Sequence, residues 1–133
     1  MRAELMVQQQ VDSVWQHMVG VICLNLTSRV QVKQVLPDFF EKWPTPGSLL
    51  YATRRQIEDV IAPLGMQKVR SERIYRMSEQ FKDWDGEDAT ELYGIGKYGS
   101  DSYRIFYKNE IPEHVGDHEL KRYIKEELNY ESR

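Results

Sequence analysis

The chain has one cysteine, Cys23, in 133 residues. A single thiol excludes an internal disulfide framework and an iron–sulfur cluster held by four thiolates of this chain. Cys23 lies in the apolar run Val19-Gly20-Val21-Ile22-Cys23-Leu24, where it reads as a small core residue. Basic excess is also lacking: 18 Lys and Arg stand against 21 Asp and Glu, a formal net charge of −3. A general nucleic-acid binder is ordinarily basic, so any polyanion must be held at a local site. No apolar run is long enough to span a membrane, and Met1 to Gln10 lacks the apolar centre of a signal peptide, so an intracellular setting is expected. No segment alternates polar and apolar residues with period two, and there is no repeat or low-complexity linker. These absences leave an all-α, compact helical bundle as the expected fold, with residues 1–133 as a single domain.

What is present is a series of capped amphipathic stretches. Leu5 to Val11 reads as a short helix. Asp12-Ser13 offers an N-cap for a largely buried helix carrying Val14, Trp15, Met18, Val19, Ile22 and Cys23. Thr27-Ser28 caps a third, through Val30, Val32, Val35, Leu36, Phe39, Phe40 and Trp43, with Pro37 expected to kink it. Pro44-Thr45-Pro46-Gly47 reads as a stop and Ser48 to Ala52 as a helical turn. Thr53 caps Arg54 to Ala62, which Pro63-Leu64-Gly65 ends. Between Gln67 and Trp84, Val69, Ile74, Met77 and Phe81 form the inward stripe. Lys68, Arg70, Arg73 and Arg76 fall on the other faces, as a solvated surface or a DNA contact. An acidic loop, Asp83 to Asp88, and a short helix, Ala89 to Leu92, follow.

The stretch Leu92-Tyr93-Gly94-Ile95-Gly96-Lys97-Tyr98-Gly99-Ser100-Asp101-Ser102-Tyr103-Arg104-Ile105-Phe106 organises the rest. Two glycines flanking Ile95 permit a tight turn with positive φ, and Tyr98 to Tyr107 then reads as a helix. Such a hairpin, spanning about 89–107, lines up backbone N–H groups at a helix N-terminus, where a phosphate binds without a basic cluster. Ile95 is expected to anchor the turn in the core. The same pattern also serves a plain helix–helix turn. After a loop from Asn109 to Gly116, Asp117 opens a last helix to Leu128.

Read with Leu24-Asn25-Leu26-Thr27-Ser28, Pro63-Leu64-Gly65 and Val115-Gly116-Asp117-His118-Glu119-Leu120, this stretch resembles the helix-hairpin-helix (HhH-GPD) DNA glycosylase superfamily. Within it the likeness is to the methyl-CpG-binding-domain thymine glycosylase branch, from about Leu5 to about Tyr123. The resemblance implies that Asp117 is the catalytic carboxylate, stabilising an oxocarbenium-like transition state and positioning water. As an N-cap, Asp117 would also be held in place, and the two roles are compatible. It implies a DNA contact through Gly94, Ile95, Gly96, Lys97, Gly99 and Ser100. In bifunctional relatives the position of Tyr98 carries a Schiff-base lysine. Lys97 is one residue away, rotated by about 100° on a helix, so a monofunctional enzyme leaving an abasic site is expected. Tyr98 would stand beside the extruded base, or serve as a core tyrosine.

Leu26 and Met66 match the wedge positions that fill the stack when a base leaves it. Met66 also fits a contact following a helix end. Leu26 stands where the thymine branch has an arginine, and Glu119 where it has a lysine. The base pocket is expected from Met6, Val7 and Gln8 with Tyr98. His114 and His118 lie near Asp117, but without a second carboxylate at ligand spacing they give no metal site. By resemblance the hairpin carbonyls hold a monovalent cation.

The expected function is therefore a monomeric, monofunctional DNA glycosylase. It would excise thymine, uracil or a 5-substituted uracil opposite guanine in double-stranded DNA. The alternatives are an enzyme of thymine or 5-hydroxymethyluracil modification on the same scaffold, and a non-catalytic helix-hairpin-helix DNA-binding module.

Overall fold

A computed structural model describes residues 11–25 and 27–128. The expected first helix, apart from Val11, lies outside the described residues.

Side-chain caps set most of the helix starts. Ser13 accepts from the Gln16 N–H and opens α1 (Val14–Leu24), in which every residue from Trp15 to Cys23 is buried. Ser28 accepts from the Gln31 N–H at the head of α2 (Arg29–Lys42), which runs on through Pro37 and buries Val32, Leu36 and Phe39. The stretch read as a stop instead starts a helix. Thr45 and Ser48 form a reciprocal capping box, and with Pro46 at the first position they nucleate α3 (Pro46–Leu49) ahead of the expected turn. A second box, Thr53 with Gln56, heads α4 (Arg54–Ile61).

A 3₁₀ turn over Ala62–Leu64 leads through Gly65, at φ 76°, to Met66, at φ 50°, and into α5 (Gln67–Phe81). The inward stripe of α5 differs from the expected one at its start. Val69 is exposed and Arg70 is buried, because Arg70 lies against open backbone carbonyls rather than water. Another 3₁₀ turn, Ala89–Glu91, enters the hairpin, followed by α6 (Lys97–Tyr107) and α7 (His118–Glu127). Among the described residues there is no strand.

α1 lies at the centre, packed against α2, α5 and α6. Its Trp15 indole N–H donates to Ser78 Oγ at 2.9 Å on α5, so the largest core side chain has its one polar atom satisfied. His17 meets Ser102 Oγ at 2.8 Å on α6, and burial pushes its pKa down to about 3, which keeps the ring neutral. The same burial pushes the Cys23 thiol up to about 12, leaving an inert core residue. A smaller cluster of Ile105, Leu120 and Ile124 fastens α7 to α6.

The hairpin is held to this core from both sides. Ile95 is buried in the main cluster, as expected. Gly94 takes the left-handed conformation at φ 82°, whereas Gly96 is extended at φ −107°, so the turn needs one positive φ and not two. Gly99 is required for a different reason. A Cβ there would lie 2.7 Å from Ile95 Cγ2 and 2.9 Å from Val21 Cγ1, so its missing side chain is what lets α6 close onto α1. Overpacking at such a contact costs about 1–3 kcal/mol, offset by about 1 kcal/mol of improved helix propensity. In urea unfolding Gly99→Ala should be less stable than wild type. Gly96→Ala, whose Cβ meets nothing within 4 Å, should shift stability by no more than about 1 kcal/mol. A Gly99→Ala protein as stable as wild type would contradict this close approach.

Candidate active site

Beside the hairpin lies a cleft of about 840 Å³. Val21, Leu24 and Asn25 from the end of α1 form one side, and Thr27 and Arg29 from the start of α2 continue it. Arg73 of α5, Tyr93 and Gly94 form another, and Gly96, Lys97, Tyr98 and Gly99 open α6 into it. Asp117 and Glu119 close it from the start of α7. The N-terminal ends of α2, α6 and α7 thus meet at one cleft. Each carries partial positive charge and backbone N–H groups without an intrahelical acceptor. At α6 the cap is Gly96, which offers no side chain to satisfy those donors.

Asp117 is the N-cap of α7, its Oδ2 accepting from the Leu120 N–H at 2.9 Å. Asp117 thus has the capping role that the sequence offered, and its carboxylate borders the cleft. A carboxylate accepts up to about four hydrogen bonds, so the cap leaves acceptor capacity for the cleft.

Tyr98 is half-buried and packs on the core, against the main cluster and the α6–α7 cluster, as one of its readings held, and it also reaches the cleft. Lys97 borders the cleft as well, so rotation about the helix does not keep it away. Its ammonium is instead drawn aside, donating to Asp101 Oδ2 at 2.5 Å and to the His114 carbonyl.

Of the remaining expected contact residues, Gly94, Gly96 and Gly99 border the cleft, Ile95 is committed to the core, and Ser100 follows on α6. Met66 is 45% exposed on a left-handed backbone, a costly conformation for a residue with a Cβ. Leu26, Met6, Val7 and Gln8 lie outside the described residues.

One charged cleft residue, Arg29, was not singled out from sequence. Arg29 donates to Glu119 Oε1 across the mouth, and Arg122 pairs with Glu119 Oε2 at 3.0 Å. The only signal for Arg29 was its place directly after the Ser28 cap. Arg73 packs its aliphatic stem over Gly94, whose added Cβ would lie 3.3 Å from Arg73 Cβ.

Comparison with known proteins agrees with this architecture. The family model for the HhH-GPD superfamily base excision DNA repair protein matches residues 19–132. A methyl-CpG-binding domain protein 4-like protein of Arabidopsis thaliana is 35% identical over 92 residues, covering 69% of this chain and 21% of that protein. A thymine/uracil-DNA glycosylase of Pyrobaculum aerophilum is 27% identical over 126 residues, covering 90% of this chain and 54% of that one. The chain therefore spans between a fifth and about half of the length of these curated relatives. Among solved structures, a thermostable thymine-DNA glycosylase superposes with a TM-score of 0.73 at 17% identity, over 80% of this chain and 52% of that one. An endonuclease III trapped as a covalent intermediate with DNA gives 0.72 at 17% identity, over 86% and 56%. These two likenesses are of fold.

Glu119, like Asp117, places a negative charge on a cleft that helix N-termini, Arg29 and Arg73 also border. Glu119→Gln should tighten binding of a duplex oligonucleotide about fivefold at low salt, the equivalent of about 1 kcal/mol. The salt dependence should steepen by about one counterion. Fluorescence anisotropy across a salt series measures both, and unchanged affinity and slope would show that the carboxylate does not face the polyanion.

Proposed function

Since the chain belongs to the HhH-GPD superfamily of base excision DNA repair proteins, we propose that it is a DNA glycosylase that extrudes a mispaired pyrimidine and hydrolyses its N-glycosidic bond. The reading is carried by one observation: Asp117, fixed as the cap of α7, borders the same cleft as the uncapped N-terminus of the hairpin helix α6. The backbone N–H groups of α6 are suited to a DNA phosphate, and on this reading the Asp117 carboxylate faces the sugar as its cation develops. As the bond from C1′ to the base nitrogen breaks, its electron pair leaves with the base. The growing positive charge on the sugar is stabilised by the Asp117 carboxylate. A water activated by the same carboxylate attacks C1′, and the products are a free base and an abasic site.

The enzyme acts without strand cleavage on this reading. A Schiff-base lysine must present a nitrogen lone pair to C1′, while Lys97 Nζ is committed as a donor to Asp101 and to the His114 carbonyl. Thymine, uracil or a 5-substituted uracil opposite guanine is the proposed substrate class, supported by relatives named as thymine and thymine/uracil glycosylases. Double-stranded DNA is the proposed partner, and one chain supplies the described cleft.

Asparagine caps helices as well as aspartate does, so Asp117→Asn separates the two roles of this residue. The variant should unfold within a few degrees of wild type and bind duplex DNA at least as tightly. Release of free uracil from a G·U duplex, followed by chromatography under single turnover, should fall on the order of 10²–10³-fold, the scale of losing a preorganised electrostatic contact. An Asp117→Asn protein that releases base at the wild-type rate would remove Asp117 from the chemistry.

A further inference from the structure

Lys97 is the first residue of α6, where a positive charge gains nothing from the helix. It stands at the positive end of the macrodipole, and its ion pair with Asp101 runs in the less favourable order, cation first and carboxylate four residues on. The pair is nevertheless tight. Lys97 Nζ donates to Asp101 Oδ2 at 2.5 Å, and the Asp101 side chain is 8% exposed. The same Nζ donates to the carbonyl of His114, in the segment that joins α6 to α7.

That segment has few other ties. Its start is fixed by Arg104, whose Nε meets Glu110 Oε1 at 2.7 Å and whose carbonyl accepts from the Glu110 N–H at 3.0 Å. Pro112 is buried, and Val115 packs on the cluster of Ile105, Leu120 and Ile124. Among the described residues, the Lys97 contact is the only hydrogen bond between residues 111–116 and the rest of the protein. The apolar contacts attach α7 to α6, but they are non-directional and leave the last ångström at its first turn to polar groups.

Asp117 follows His114 by three residues, and Lys97 and Asp117 border one cleft. We propose that Lys97 is a positioning residue: aimed by the buried Asp101 carboxylate, it holds the segment before α7 and so sets where the Asp117 carboxylate stands in the cleft. The inference rests on the reading of Asp117 as the hydrolysing group. The two acceptors of the ammonium have different tasks. Asp101 belongs to α6 and fixes Nζ, whereas His114 belongs to the segment that has to be placed. A misplacement of about 1 Å costs about 10²-fold in rate, while an ion pair with one exposed partner contributes little to folding. Loss of the tether therefore slows the chemistry and leaves the fold largely as it was.

Single-turnover release of uracil from a G·U duplex at saturating enzyme reads the chemical step, and anisotropy reads binding separately. Asp101→Asn keeps the shape of the side chain but leaves Lys97 unaimed; its rate should fall about tenfold, with DNA bound no more weakly than by wild type. Lys97→Gln should lose about 10–10²-fold. Combining Lys97→Gln with Asp101→Asn leaves no buried charge unpaired, and the loss should be no greater than for Lys97→Gln alone, because the two residues act as one unit. Lys97→Arg keeps a donor for both acceptors and should recover most of the rate, although a guanidinium has no lone pair with which to attack C1′.

Hydrogen exchange at the Leu120 amide, which donates to Asp117, reads the placing of the carboxylate without any activity. It should be several-fold faster in the double variant and near wild type in Lys97→Arg, with thermal unfolding as the check on the fold. An undiminished rate in Asp101→Asn, or a Lys97→Arg protein as slow as Lys97→Gln, would overturn the proposal. If wild type releases no uracil, the glycosylase reading fails and the exchange decides alone. Faster exchange in the double variant that Lys97→Arg does not share supports the tether, and exchange unchanged in the double variant, or equally fast in Lys97→Arg, overturns it.

Discussion

The close contact between α1 and α6 is the constraint on which the candidate site depends. α1 is buried from Trp15 to Cys23, so its position is fixed by packing from α2 and α5 before the hairpin is considered. α6 reaches it only because Gly99 has no side chain to meet Val21 and Ile95. That contact sets the height of the hairpin over α1, and with it the placing of Lys97 and Tyr98. α7 is attached to α6 through Ile105, Leu120 and Ile124, so Asp117 inherits its position from the same contact. A site assembled from five helices thus has few independent degrees of freedom.

An acidic chain can still offer an anion a favourable place. With a net charge of −3, long-range attraction to a polyanion is absent. What the fold supplies instead is local, the N-terminal ends of α2, α6 and α7 around one cleft, with Arg29 and Arg73 among its walls. Helix-end charge falls off within a turn, so it acts on a group seated in the cleft and scarcely beyond it. On the glycosylase reading this suits an enzyme that must release bulk DNA readily while holding one nucleotide firmly. Glu119 moderates the field further by engaging Arg29 and Arg122.

Much of this was legible in the residues, for reasons that are local. Ser13, Ser28, Thr53 and Asp117 cap as expected because an N-cap bond is made within three residues and needs no tertiary information. The buried stripe of α1 followed from periodicity. Thr45 was passed over because two prolines and a glycine beside it suggested a stop, yet Pro46 at the first helical position favours a start. The exchange of Val69 and Arg70 was not legible, since it depends on carbonyls contributed from Asn25 and Leu64, 45 and 6 residues away. The two hairpin glycines looked equivalent in sequence, but only Gly94 needs a left-handed backbone. The Arg29–Glu119 pair joins residues 90 apart and had no sequence signal beyond its cap. Membership of the HhH-GPD superfamily was legible because the hairpin and the Asp117 segment are contiguous motifs.

The most direct measurement is strand breakage in labelled duplexes carrying G·T, G·U and G·5-hydroxymethyluracil pairs, compared with and without hot alkali after incubation with the purified protein. Breakage confined to the alkali-treated samples is the predicted result, because on the proposed reading hydrolysis at Asp117 leaves an intact strand with an alkali-labile abasic site. Breakage before alkali would contradict the assignment of Lys97 as a bystander to strand cleavage, and no breakage of any duplex under either condition would contradict the glycosylase itself.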